Sequence, residues 1–594
     1  MPNFLNALRL DNVINRSTCS LACLVTLFLA LPSVCQQTTA QILNAVEVEL
    51  PTGGMERALN AYRMDKQNLE FKYSVPMSPS ANERFETFFQ TRLDELTNIE
   101  FSRLTQDGKV DFLLFKNQLK RELSRLELER QKDRQIMPLI PFAKTILLLA
   151  EAKESGDSID GQKTAATLQN LVDDIAGLTL QVKQDSFAVA DPTQAIRASR
   201  RVGELRRVLD QWYRYYNGYD PMFTWWCKAP YTEADSSLAS YTNLLRNELA
   251  KLDASDRSVI VGEPIGKAAL IKALEFEMIP YTPAELIKIA NREFAWCEKE
   301  MAKASQELGF KNDWRAAQDF VKNKFVQPGE QPRLIREMAN EATQFVEDRG
   351  LVTVPPLCKE TWRMRMMSPE RQKVSPYFLG GNTILVSYPT DSMDHGDKLM
   401  SLRGNNPHFS RAVVHHELIP GHHLQGFMRD RYRTHRKPFA TPFWLEGWAL
   451  YWEMRLWDLN FARSAEDRVG MLFWRKHRCA RIIFSLSYHL NDMTPDECID
   501  FLVDRVGHER NNATGEVRRS VQGGYGPLYQ AAYMLGGLQI RAMHKELVET
   551  GKIREIDFHD AILQQNSIPI EMIRARFTQQ NLTPDFKTNW RFAD

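Results

Sequence analysis

The first 394 residues contain no histidine, and all 12 histidines lie between His395 and His559. That long stretch cannot supply an imidazole to a metal or to acid–base work, so such chemistry belongs to the last third. Neither sign of charge is in excess, with Lys+Arg 76 against Asp+Glu 75 in 594 residues. This excludes a basic field for nucleic acid and a solvating acidic tail. Glycine (29) and proline (28) are too few for a fibrous or low-complexity chain. Cysteine is sparse, and no CxxC pair occurs. Cys19, Cys23 and Cys35 precede the body, while Cys227, Cys297, Cys358, Cys479 and Cys498 are odd in number and widely spaced. A disulfide framework and a thiolate zinc site are thereby excluded, leaving buried free thiols.

Long apolar runs are missing too. Residues 21–31, LACLVTLFLAL, reach about half of the roughly 20 residues that span a bilayer. Arg9 and Arg16 precede this run, and PSVCQQTTAQ follows it. A positive segment, an apolar segment and a cleavage zone read as an export signal, which places the mature protein in the periplasm or outside the cell. Cleavage falls after Cys35 or after Ala40. The PSV before Cys35 is a poor match for lipidation, which disfavours a lipid anchor there. The expected organisation is a leader over 1–40, an N-terminal helical part over 41–260 and a catalytic helical part over 261–594.

Hydrophobic residues at 43% and charged residues at 25% are ordinary for a folded body. The periodicity is helical. Across residues 82–131 apolar positions recur every three or four, and Gln106-Asp107-Gly108 reads as a turn between two helices. Thr282-Pro283 supplies an N-cap with proline behind it and opens a helix to about Leu308, stopped by Gly309. Thr494-Pro495 opens another in the same way. The WRKHR run around His477 reads as a charged helical face, and the aromatic segment 216–226 as packing. NTILVSY (382–388), after Gly380-Gly381, is the clearest strand and is expected to offer an edge to a substrate backbone. The expected fold is mainly α, a large helical body with a small β element near the cleft.

Residues 411–425, RAVVHHELIPGHHLQ, carry half of a zinc signature. In HExxH, two histidines four apart share a helix face and bind zinc, and the glutamate is a general base. Here Pro420 stands where the second histidine belongs, and His422 and His423 follow. Six residues turn a straight helix by about 600°, leaving His422 roughly 240° round and about 9 Å along from His416. Bonds of ~2.1 Å cannot join both rings to one ion across that gap. The helix must bulge or kink. Pro420, which clashes with the carbonyl of His416, and Gly421 are suited to bend it. A catalytic zinc takes a third protein ligand and keeps one position open. Glu446, in the apolar helix FWLEGWALYWE (443–453), is either that ligand or half of a structural ion pair. Glu453, two turns further on the same face, suits the orienting of a ligand histidine.

HELIPGHHLQ followed by EGWALYWE resembles the bacterial family catalogued as domain of unknown function 885. Its members carry HExxPGHxxQ and EGWAxYxE in that order, and are grouped by fold with helical zinc peptidases of the gluzincin type. The resemblance extends over most of the mature chain. It implies one zinc ion per chain held by His416, His422 and Glu446, with Glu417 as the base that activates water. His415 and His423 fall where the pattern fixes nothing and stand as hydrogen-bonding or substrate-side groups. A third motif, PLYQAAYMLG (527–536), resembles the family's P-x-x-Q-x-x-Y-x-x-G, with Tyr529 where glycine is commoner. Related helical zinc peptidases place a tyrosine near the metal to steady the oxyanion, and Tyr533 matches it. The alternative is that Tyr525, Tyr529 and Tyr533 form a packed stripe. Arg541, eight residues on, is a candidate to hold a substrate carboxylate. His395 is expected in a loop, and His477, His489, His508, His544 and His559 read as ordinary core or surface histidines.

The expected function is zinc-dependent hydrolysis of a peptide partner. Two further readings stay open: hydrolysis of another amide or ester by the same site, and a non-catalytic zincin-like binding protein of the cell envelope. The sequence is silent on oligomeric state.

Overall fold

Helices begin where the sequence sets a capping side chain in front of a proline. Ser78-Pro79, Asp191-Pro192, Asp220-Pro221, Thr282-Pro283, Asn406-Pro407, Thr441-Pro442 and Thr494-Pro495 all open helices, the first residue accepting a backbone N–H bond from the first turn. The computed structural model describes residues 54–184, 191–252, 259–372, 380–522 and 524–594. The expected leader lies outside them. The fold is mainly α, as expected. Among the described residues the sheet is a parallel pair, β1 (Arg363–Met366) and β2 (Thr383–Val386), with Arg363 opposite Thr383. No helix among them is long and apolar enough to cross a membrane.

Met55–Asp594 form one compact unit with two apolar cores. The smaller core is built by residues 136–245, with Trp212, Phe223 and Tyr241 buried at its centre. The larger joins both ends of the unit, from Leu59 and Phe89 to Ile573 and Phe592, around the histidine-bearing helices. Six helices build the site: α1 (Pro407–Glu417), α2 (His422–Arg429), α3 (Pro442–Asp458), α4 (Ala465–His489), α5 (Arg510–Gln522) and α6 (Tyr529–Leu547).

Some expectations need correction. Gln106-Asp107-Gly108 is the first turn of the helix Gln106–Ile136, because Thr105 caps it by accepting from the Gly108 N–H. The break falls earlier, at two short 3-10 turns, Leu96–Asn98 and Phe101–Arg103. The WRKHR segment is no solvated face either. It lies on α4, which runs through the core with Arg475, Lys476, His477, Arg478 and Arg481 all buried. Arg475 lies over the Trp296 ring and Lys476 over Trp314, and carboxylates from other helices meet the arginines. Segment 216–226 is divided, with Phe223 buried and Trp225 exposed. His395 opens a helix, His395–Gly404.

The closest approach that shapes the site is between α3 and α6. A Cβ on Gly447 would lie 2.6 Å from Gly536 Cα, and one on Gly536 would run into the Phe443 carbonyl. Both obstacles are backbone and cannot swing away. Gly536→Ala is therefore expected to lower stability by about 2 kcal/mol. Overpacking costs about 1–3 kcal/mol or more, and the better helix propensity of alanine returns only about 1. A denaturant midpoint measures this, and a midpoint at or above that of the parent would refute the crossing as tight.

Candidate metal centre

α1 ends at Glu417 and α2 begins at His422, so the break in the helix is complete rather than a bulge. Leu418–Gly421 form the turn between them, with a cis peptide at Ile419–Pro420. The Gly421 N–H donates to the His415 carbonyl (3.0 Å) and the His423 N–H to that of Leu418 (3.0 Å). Trp448 Nε1 on α3 donates to the Pro420 carbonyl at 2.9 Å. A Cβ on residue 421 would overlap the carbonyl oxygens of His415 and His416, so only glycine fits there. The turn brings the His416 and His422 rings together, centroids 4.8 Å apart and perpendicular.

Glu446 comes from α3 to meet them. Its Oε2 lies 3.2 Å from His422 Nε2 and 3.7 Å from His416 Nε2. One donor atom from each of the three residues lies within 4.8 Å of the others. Each is also held from behind. His416 Nδ1 lies 2.7 Å from Glu453 Oε1, which also accepts from Arg478 Nη2 at 3.1 Å. His422 Nδ1 faces Gln425 Oε1 at 3.3 Å, while Gln425 Nε2 donates to the Trp444 carbonyl at 2.9 Å. The Tyr529 hydroxyl donates to Glu446 Oε1.

Charge is organised around this point. Burial would raise the Glu446 pKa, but His422 and His416 outweigh it and hold the carboxyl well below its usual range. Burial pulls His422 down, yet Glu446 beside it holds the ring up at about 9. Burial opposes the Glu453 carboxylate, and Arg478 and His416 bring it to about 2.

Glu417 stands apart from the trio, half-buried, with Gly380 packed on its side chain. That contact sets Gly380-Gly381, the lead-in to β2, beside the expected base. His423 fixes this segment, its Nε2 2.8 Å from the Cys358 carbonyl and its ring bonded to the Gly381 backbone. His415 does neither job. Both of its nitrogens lack a partner, its ring meets Phe461 edge-on, and burial pushes it down to about 3, so it is neutral packing.

The Tyr533 ring lies parallel to His416, centroids 6.2 Å apart. Its hydroxyl accepts from Arg519 Nη2 at 3.4 Å, and the guanidiniums of Arg478 and Arg481 lie over its face. Burial raises its pKa, so the phenol stays protonated and able to donate. Arg541 is not brought here. It pairs with Asp458 at 3.1 Å, at the far end of α3. The motifs gave no role to Gln425 or Tyr529 and did not include Arg478 or Arg519. Gln425 carries a signal in its spacing of three from His422, and Tyr529 in its spacing of four from Tyr533. The arginines carry none, because their sequence surroundings look like a solvent face.

Fold and site define a mainly helical protein with a His, His, Glu donor cluster at a broken HExxPGH segment. The chain belongs to the family described as "Bacterial protein of unknown function (DUF885)", whose model matches residues 72–577. Two solved structures share its fold. One is from Shewanella oneidensis, 18% identical, with a TM-score of 0.65, covering 88% of this chain and 98% of that one. The other is from Colwellia psychrerythraea, 14% identical, with a TM-score of 0.55, covering 89% and 99%. Both are provisionally described as lipoproteins, the first of unknown function. Likeness at this identity speaks for the fold alone. No curated protein matches the chain.

Proposed function

We propose that the chain is an exported zinc-dependent peptide hydrolase. The observation that carries this is the convergence of His416, His422 and Glu446 on one point, with Glu417 next in sequence but outside the trio. The donor set fits the ion. Two imidazole nitrogens and one carboxylate, each supported on its far side, are the ligand chemistry of a catalytic zinc. The 2.7 Å contact of His416 Nδ1 with the Glu453 carboxylate favours the proton on Nδ1 and leaves Nε2 as the free lone pair. When bound, a divalent ion supplies Lewis acidity to the scissile carbonyl.

The chain's own groups do the rest. Glu417 takes a proton from the attacking water and passes it to the leaving amine. Tyr533 donates to the oxygen on which charge develops. Tyr529 and Gln425 hold Glu446 and His422 in place. The apolar run 21–31 behind Arg9 and Arg16 supports export, as do the lipoprotein descriptions of the two structural neighbours.

The full chain, purified and incubated with zinc, is expected to hold one ion and to cleave a mixed peptide library, read by mass spectrometry. Less than a tenth of an equivalent of zinc, or esters and small amides cleaved with peptides untouched, would overturn the reading. Tyr533→Phe is expected to lower kcat ten-fold or more with KM little changed, since the hydroxyl acts only as charge develops. Unchanged turnover would pass that role to Tyr529.

A further inference from the structure

Three guanidiniums surround Tyr533, those of Arg478, Arg481 and Arg519. Two carboxylates answer them. Arg478 meets Glu453 at 3.1 Å, and Arg481 Nε meets Glu516 Oε1 at 2.7 Å. Arg519 is left with a poor share, its Nη1 3.8 Å from Glu516 Oε2 and its Nη2 3.4 Å from the Tyr533 hydroxyl. Arg519 Nε and Arg481 Nη1 are buried without a partner. Arg481 itself is only 3% exposed. The three guanidiniums thus outnumber the two carboxylates that meet them, and Arg481 and Arg519 each keep an N–H to spare for an incoming anion.

The excess faces a wet edge of the site. The Arg519 side chain is 22% exposed and lies against Tyr525, itself 40% exposed, and the His422 side chain is 19% exposed. A guanidinium fork matches a carboxylate in shape and charge. The C-terminal carboxylate is the anion that every peptide carries at a fixed distance from its last peptide bonds.

We infer that Arg519, backed by Arg481, anchors the C-terminal carboxylate of the substrate, so that the enzyme trims peptides from the C-terminal end. The inference rests on the peptide-hydrolase reading and adds its substrate class. A peptide C–N bond breaks. Water gives its hydroxyl to the acyl carbon and its hydrogen to the amine of the released C-terminal fragment.

The test uses peptides of ten residues lacking Asp and Glu, made as free acids and as C-terminal amides. A second amide set carries Asp or Glu near the C-terminus. The zinc-loaded chain is expected to shorten the acids by one or two residues and to act on the amides at least ten-fold more slowly. Equilibrium binding to the Glu417→Gln protein gives a second readout without turnover. There the acids are expected to bind at least ten-fold more tightly than either amide set. Arg519→Gln in that background should erase the difference with zinc content unchanged, and Arg519→Lys should restore part of it. Equal binding of acids and amides, no measurable binding of either, or binding that follows the internal Asp and Glu would overturn the inference. Equal cleavage of acids and amides would overturn it while leaving the peptide hydrolase standing. A parent chain that cleaves neither set sinks the hydrolase reading, and the binding arm still decides the anchor on its own.

Discussion

Replacing Glu417 by glutamine is expected to lower kcat for peptide hydrolysis by about 10³-fold and to leave one zinc ion per chain, the usual scale for losing a positioned general base. The two halves of the result come from one placement. Glu417 is the last residue of α1, directly after His416, yet its carboxylate is not among the three converging donors. An amide of the same shape keeps the contact with Gly380 and the turn behind it, so the trio is undisturbed. What disappears is the capacity to take a proton. Glu417→Asp keeps that capacity but draws the carboxylate back by one methylene, and misplacement of about 1 Å costs about 10²-fold. Steady-state kinetics on a peptide, with metal content measured on the same sample, decides it. A glutamine variant that keeps more than a tenth of the parent kcat removes Glu417 from the mechanism. One that loses zinc as well makes it a structural support of the trio.

Much of this was legible from the residues. Thr282-Pro283 and Thr494-Pro495 marked helix starts, because a cap and a fixed φ are local properties. The conflict between HExxPGH and straight-helix geometry demanded a bulge or kink at Pro420-Gly421, and the helix there ends outright and restarts. Other features depended on partners far away in sequence. α4 reads as a charged face because arginines and a lysine crowd it, and nothing local says that Glu453, Glu516 and Glu293 arrive from other helices to neutralise them. Gly447 and Gly536 each look like a weak point in a helix. Their meaning emerges only when the two helices cross and set Tyr529 against Glu446. Arg541 shows the same limit from the other side. Its eight-residue spacing from Tyr533 put it at the cleft, but Asp458 holds it elsewhere.

Glu453→Ala is expected to be the most damaging change behind the trio, lowering stability by about 3–5 kcal/mol and zinc affinity by about 10–100-fold. Both losses follow from one carboxylate oxygen. Glu453 Oε1 lies 2.7 Å from His416 Nδ1 and accepts from Arg478 at 3.1 Å, with all three residues buried. Truncation strands the Arg478 guanidinium in the core, where its Nε already lacks a partner. It also frees the His416 ring to turn and to take the other tautomer, which carries a proton on the nitrogen that faces Glu446 and His422. Glu453→Gln separates the effects. The amide oxygen can still accept from His416, so affinity should fall less than in the alanine variant, while the unneutralised arginine keeps most of the stability loss. Urea unfolding and zinc titration against a competing chelator read the two quantities independently. If the alanine variant matches the parent in both, Glu453 holds neither the histidine nor the arginine. If glutamine loses as much affinity as alanine, the negative charge rather than the orientation of His416 governs the metal.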